Sequence, residues 1–370
     1  MNNKKYNWWM ISALTLIPMV GIFGSILHSY YFGVVWQEIF ILIIGWWLSG
    51  IGITFGYHRL FAHRSFQAHK LVQFIAIILG SSALQNSVLK WSSDHRIHHK
   101  KLDSKDDPYS IKKGFWYAHI GWIVQKKDPI IKGVNDLKNN RLVMWQHENY
   151  YLISIFVSFI IPALIGLSYN RPIGGLLWGG FLRITLIHHT TFFINSLCHY
   201  VGNKPYDSNI SARDCWWVAY LTFGEGYHNY HHKFQWDYRN GVNWYSFDPG
   251  KWIIQTLSWF GLTKKIKKVS EYQIFSAKMQ SLKDSIQSQI SEMPEIMRNQ
   301  YLAKINELQE TGNKIISSWK ELEREIIGMN KKEISDKFQL AVQKQKRKLY
   351  RKEFLGVING FTVLFVNLKS

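Results

Sequence analysis

The sequence predicts an all-α membrane protein: four transmembrane helices, a helical cytoplasmic cap and a C-terminal helical tail. Three observations predict it. Four stretches are long, apolar and almost uncharged. Lys and Arg crowd the segments between and beyond them, apart from two short turns. From Lys264 onwards the composition changes to Lys, Glu and Gln, with apolar residues recurring at threes and fours.

Residues 8–27 contain no charge and suffice to cross a bilayer. They follow Lys4 and Lys5, but the long apolar run and the lack of a small-residue cleavage site favour a span over a signal peptide. A second span over 35–56 carries one acid, Glu38, near its start and should continue past the membrane to deliver His58 and His63. Residues 71–89 begin apolar and end polar at Ser81, Ser82, Gln85, Asn86 and Ser87. They read as a third crossing or as a half-buried helix on the membrane face. Residues 91–149 are basic and mixed, an extramembrane region. Further spans are expected over 151–168 and 173–198, joined by the turn Asn170-Arg171-Pro172.

The turns near 28–34 and 168–172 hold one Lys or Arg between them, Arg171, whereas 58–141 and everything after His199 are rich in both. Positive charge stays inside, so both termini and the histidine-bearing segments are expected in the cytoplasm. The chain divides at 1–262, the membrane domain with its cap, and 263–370, a basic helical tail with a break expected at Thr311-Gly312-Asn313. The closing FLGVINGFTVLFVNL is short for a span. Net charge is +20 over 370 residues, which suits lipid headgroups or a phosphorylated small molecule; the apolar spans argue against nucleic acid. Cys198 and Cys215 form no CxxC and read as buried thiols.

The chemistry lies in the histidines. His228, His231 and His232 fall at i, i+3 and i+4, which stacks three imidazoles on one helical face. His95, His98 and His99 repeat the pattern, and His58 and His63 form a third cluster. Asn195 and His199, four residues apart, can face the same place. One metal takes at most about six ligands, so these histidines call for two ions, and their number favours a first-row metal such as iron over zinc. His58 and His63 lie about 140° apart on a regular helix. They converge only if the helix ends or distorts between them, or they serve different metals; the latter agrees with two ions. His69, His119 and His147 lack partners at ligand spacing, His28 lies in an outer turn, and His188 and His189 are at most supporting donors.

HRLFAHRSF (58–66), WSSDHRIHHK (91–100), NSLCH (195–199), GEGYHNYHH (224–232) and DYRNG (237–241) together resemble the membrane acyl-CoA desaturases of the stearoyl-CoA Δ9 type, over roughly residues 35–260. The resemblance implies a four-span protein with a di-iron centre. Its ligands would be His58, His63, His95, His98, His99, His199, His228, His231 and His232, with Asn195 reaching a metal through water. It implies the use of O2 and two electrons to place a cis double bond, typically at the ninth carbon, in a saturated fatty acyl-CoA; acyl carrier protein or a lipid acyl group are alternative carriers. Substrate contacts carried over are Gln85, Asn86, Trp91, Asp94, Lys126, Lys127, Thr191 and Phe192. Phe192 stands where the family usually has Trp, and Ser93 where it has Arg, which removes one phosphate partner. Trp46 or Trp47, about three turns before His58, would close the end of the acyl tunnel. No HPGG haem motif occurs, so electrons would come from a separate ferredoxin, cytochrome b5 or rubredoxin. With neither a fused haem domain nor an endoplasmic-reticulum retrieval ending, the expected location is a bacterial inner membrane. Two alternatives remain: a related hydroxylase of alkyl or acyl chains, and a non-catalytic membrane metal-binding protein.

Overall fold

Long apolar stretches satisfy their own backbone polar groups by becoming helices. Helices make up nearly all the regular structure in the computed structural model, which describes residues 6–126, 130–328 and 337–368. Among the described residues the one sheet is a two-stranded antiparallel ribbon, β1 (Gln67–Ala68) with β2 (Thr263–Lys264). The chain forms two compact units, Met1–Asn203 with Ser211–Lys268, and Lys204–Ile210 with Val269–Ser370.

In the first unit, α1 (Trp8–Phe32) and α2 (Trp36–Ala62) are long and apolar enough to cross a membrane, as is the later helix Tyr150–Leu167. Residues 71–89 do not form one helix. Instead, α3 (Lys70–Ser81) stops where the Ser81 and Ser82 hydroxyls bond back to the Ile77 and Leu79 carbonyls. Leu84 and Asn86 then take positive φ, and α4 (Val88–Lys101) starts under a Ser87 cap that accepts from the Lys90 N–H. Tyr150–Leu167 is α5, and residues 172–195 form α6. The last expected span, 173–198, therefore ends three residues early. Tight i→i+3 bonds, His199 N–H to Ser196 and Tyr200 N–H to Leu197, wind residues 197–199 into a 3₁₀ turn. Arg183, His188 and His189 lie within α6, which is not among the three described helices long and apolar enough to cross a membrane.

Two features position the site. The turns after α1 and α5 meet through Arg171, which donates to the Phe32 and Gly33 carbonyls and to buried Glu38 at 2.9 Å. Near the other end of α2, Gly52 packs so tightly on α3 that an added Cβ would overlap the Leu79 and Gly80 backbone. From Gly52 to Ala62 the helix is π-wound. Arg59, fully buried there, donates to Asp248 at 2.7 Å and to the Tyr238 carbonyl at 3.1 Å, tying α2 to the segment after the last histidine cluster.

The second unit has its own core. Here α8 (Glu271–Ile290), α9 (Glu295–Gly328) and α10 (Lys337–Asn367) follow the short helix α7 (His228–Lys233) of the first unit. They bury Phe275, Met279, Ile286, Ile305, Trp319, Phe354 and Phe361. The break expected at 311–313 is absent. Gly312 sits inside α9 because a Cβ there would overlap the Met279 sulfur, so close packing and not termination explains the glycine. All of FLGVINGFTVLFVNL but its last residue belongs to the C-terminal half of α10.

Candidate metal centre

Helix α4 carries His95, His98 and His99, and α7 carries His228, His231 and His232. For His58 and His63 the π-winding decides. The His63 N–H bonds to the His58 carbonyl five residues back at 2.9 Å, and the two rings lie 4.7 Å apart on one side. Of the readings left open, distortion of the helix is the one found, and both residues join one group of histidines.

The nine histidines converge into two groups: His58, His63, His95, His99 and His231, and His98, His199, His228 and His232. Within each, the donor atoms lie within 4.8 Å of one another. In the first group Nε2–Nε2 separations are 3.0 Å for His58–His231, 3.0 Å for His231–His99 and 2.8 Å for His63–His95. In the second they are 3.1 Å for His228–His199 and 3.1 Å for His232–His228. Two nitrogens about 2.1 Å from a shared ion, at right angles, would be about 3.0 Å apart.

Side chains behind the rings set their orientation. His98 Nδ1 lies 2.8 Å from buried Asp107, and His199 Nδ1 lies 2.7 Å from Ser211 Oγ, which donates to Asp103. His58 Nδ1 is 3.1 Å from Glu225 Oε2, and His95 Nδ1 is 3.4 Å from the Tyr109 hydroxyl. With Nδ1 carrying the proton, each Nε2 turns a lone pair inward. Inward lone pairs at 3 Å repel unless a cation lies between them, and His98 Nε2 is buried with no hydrogen-bond partner. Burial first, then neighbouring imidazoles, holds His63, His95, His99, His228, His231 and His232 well below their ordinary pKa. His199 is pushed down to about 3 by the same causes, burial first. The donor set therefore fits two divalent first-row ions and fits poorly with protons.

Sequence reading missed Glu225, Asp107, Asp103, Ser211 and Tyr109. Glu225 stands inside the last histidine motif, a usable signal; the others reach the site through loops with no periodicity. Asn195 is the last residue of α6, four before His199. His188 Nε2 donates to the Ala83 carbonyl at 2.9 Å, and His189 pairs with His119, so neither joins the two groups. His69 caps α3, and His147 bonds Ser87.

The remaining candidates are scattered. Gln85 donates to Thr191 at 2.6 Å. Trp91 stacks on His95 at 4.8 Å, and Phe192 on His188 at 5.4 Å. Trp46 donates to Thr190 and packs on Phe223. The Asn86 N–H binds the Tyr150 hydroxyl. Asp94 pairs with Lys90, Lys126 is exposed, and Lys127 lies outside the described residues. Ser93 is pinned to the Lys132 backbone. A cleft of about 490 Å³ opens onto His63 and His99 and is rimmed by Arg64, Arg96, Lys100 and Lys267.

The profile of a family described as "Fatty acid desaturase" matches residues 33–258. The chain is 36% identical over 320 residues to "Acyl-CoA desaturase 1" of Saccharomyces cerevisiae, covering 82% of this chain and 62% of that protein. It is 39% identical over 281 residues to "Probable acyl-CoA desaturase" of Schizosaccharomyces pombe, covering 72% and 57%. The chain thus spans about three fifths of the length of these two relatives. It is 36% identical over 263 residues to "sn-1 stearoyl-lipid 9-desaturase" of Synechocystis, covering 70% of this chain and 80% of that one.

Proposed function

Because the chain belongs to the fatty acid desaturase family, we propose that it is an integral-membrane desaturase holding two irons, and that it places a cis double bond at the ninth carbon of a saturated fatty acyl-CoA. The observation that carries this reading is the division of nine inward-facing imidazoles into groups of five and four, with anchoring residues behind them. A structural zinc site needs only four ligands. Overall, the acyl chain, O2, two electrons and two protons give the monoene and two waters. When bound, the irons supply the redox chemistry by which O2 is reduced as two C–H bonds are lost.

The chain's own residues hold, aim and enclose. His58 of α2, His63 just beyond it, the α4 and α7 histidines and His199 would hold the ions, with Asn195 reaching a metal through water. Asp107, Ser211 and Glu225 keep the rings aimed. Trp91, stacked on His95, places an apolar wall beside the first group and keeps water from the reacting carbons. Gln85, Asn86, Thr191 and Phe192 line the acyl path, and Asp94, Lys126 and Lys127 meet the carrier. Trp46, fixed by Thr190 and Phe223, ends the path. Trp46→Ala should therefore lengthen the acyl chains accepted; an unchanged product profile would remove that role.

In the membrane, α6 is the fourth span, with both termini and the metal groups on the cytoplasmic side. The Lys and Arg distribution supports this, as does the meeting of the two charge-poor turns at Arg171. Residues 1–262 form the catalytic domain and 263–370 a helical appendage. Electrons come from an acidic carrier docking at the basic cleft over His63 and His99, so turnover should fall as salt rises.

The test is mass spectrometry of fatty acids from a host expressing the chain or its His231→Ala variant together with a reductase and donor. A monoene formed only by the parent, its bond located by derivatisation, supports desaturation. A hydroxy acid would move the chain to hydroxylation, and no product from either would favour a non-catalytic site.

A further inference from the structure

The helix α10 has two opposed faces. Phe354, Val357, Phe361 and Leu364 point into the core of the second unit. At 100° per residue, Lys344, Lys348, Lys352, Leu355, Asn359, Val363 and Val366 fall within a narrow stripe on the opposite side. Every residue of that stripe is exposed, with Leu355 at 43%, Val363 at 57% and Val366 at 56%. The stripe changes character along its length. Residues 344–352 carry six cations, and after Glu353 the next fifteen residues, 354–368, carry no charge. A helix that is apolar on both faces for several turns belongs in a core or against lipid.

We propose that this outward stripe of α10 lies on an anionic lipid surface. The Lys344–Lys352 half sits over headgroup phosphates, and Leu355, Val363 and Val366 enter the acyl boundary. Charge complementarity selects this occupant. A second copy docking parallel would set Lys344, Lys348 and Lys352 against their own counterparts; docking antiparallel would set them against the apolar half. A bilayer interface presents phosphate and hydrocarbon a few ångströms apart, which matches both halves at once. The first unit carries three helices able to cross a membrane, so the full chain brings such a surface with it.

The test uses the full chain with an environment-sensitive dye on Val363→Cys; the two native cysteines are buried. The protein is placed in nanodiscs of phosphatidylcholine alone or mixed with phosphatidylglycerol, with brominated acyl chains as quencher. Expected in anionic discs are a blue shift and strong quenching. Removing cations should weaken the association on the order of fivefold for each at low salt. Lys344→Glu, Lys348→Glu and Lys352→Glu together should therefore return the dye to a solvent-like state. Amide-exchange protection over 354–361 shows that the unit stays folded. A dye that stays solvent-like in anionic discs overturns the proposal. So does a shift equal in both lipids and unmoved by charge reversal. A shift that grows with protein concentration in detergent overturns it in favour of a second copy.

Discussion

The anchoring of His98 by Asp107 permits a prediction specific to one of the two proposed metals. Asp107 is buried and accepts from His98 Nδ1 at 2.8 Å and from the N–H groups of Tyr109 and Asp103 at 3.2 and 3.3 Å. Burial raises its pKa, but the His98 contact and the two N–H groups outweigh that and hold the carboxyl below its usual range. Asp107→Ala frees the His98 ring and leaves two N–H donors without their acceptor, a stability cost of about 2–4 kcal/mol. Losing such an anchor weakens metal binding by roughly 10–100-fold, or about 1.4–2.8 kcal/mol. Asp107→Asn keeps an acceptor and loses the charge, so it should fall at the lower end. His98 belongs to the group of four, while the group of five keeps Glu225 behind His58. Purified full chain is dialysed against graded chelator, and bound metal is counted by mass spectrometry beside a thermal melt. The variants should pass from two ions to one at chelator levels that leave the parent at two. Loss of both ions together, or retention of both at parental strength, would refute the argument.

Three further expectations follow from buried groups. The six histidines held well below their ordinary pKa stay neutral when the protein is folded, whereas unfolded imidazoles take protons below about pH 6.5. Stability of the metal-free protein is therefore full above that pH and falls as pH drops below it, and a melting temperature flat from about pH 8 to about pH 5 would contradict this. Gly52→Val would drive a side chain into the α3 backbone, so little monodisperse protein should survive extraction; normal yield and melting would show that the helices can part. Trp319→Ala empties the largest fully buried position and should cost the second unit about 3–5 kcal/mol while metal content stays at the parental level. Loss of metal with it would show that the units do not stand alone.

Periodicity made much of this protein legible from its residues. Apolar runs of span length became α1, α2 and α5, and the i, i+3, i+4 histidines of α4 and α7 met at one site, because regular helices carry their spacing into space. Where winding departs from 3.6 residues per turn, the same arithmetic failed. His58 and His63 share a group only through the π-wound segment, and His199 reaches the other group only because α6 gives way to a 3₁₀ turn. Gly312 read as a helix breaker and is a point of close packing, a difference that depends on Met279 across the bundle. The division into five and four, and the anchors Asp107, Ser211 and Glu225, depend on contacts between distant segments. Local sequence determined which residues could bind metal. Tertiary packing alone decided which of them share a group, since that depends on how helices cross, and no spacing along the chain encodes a crossing.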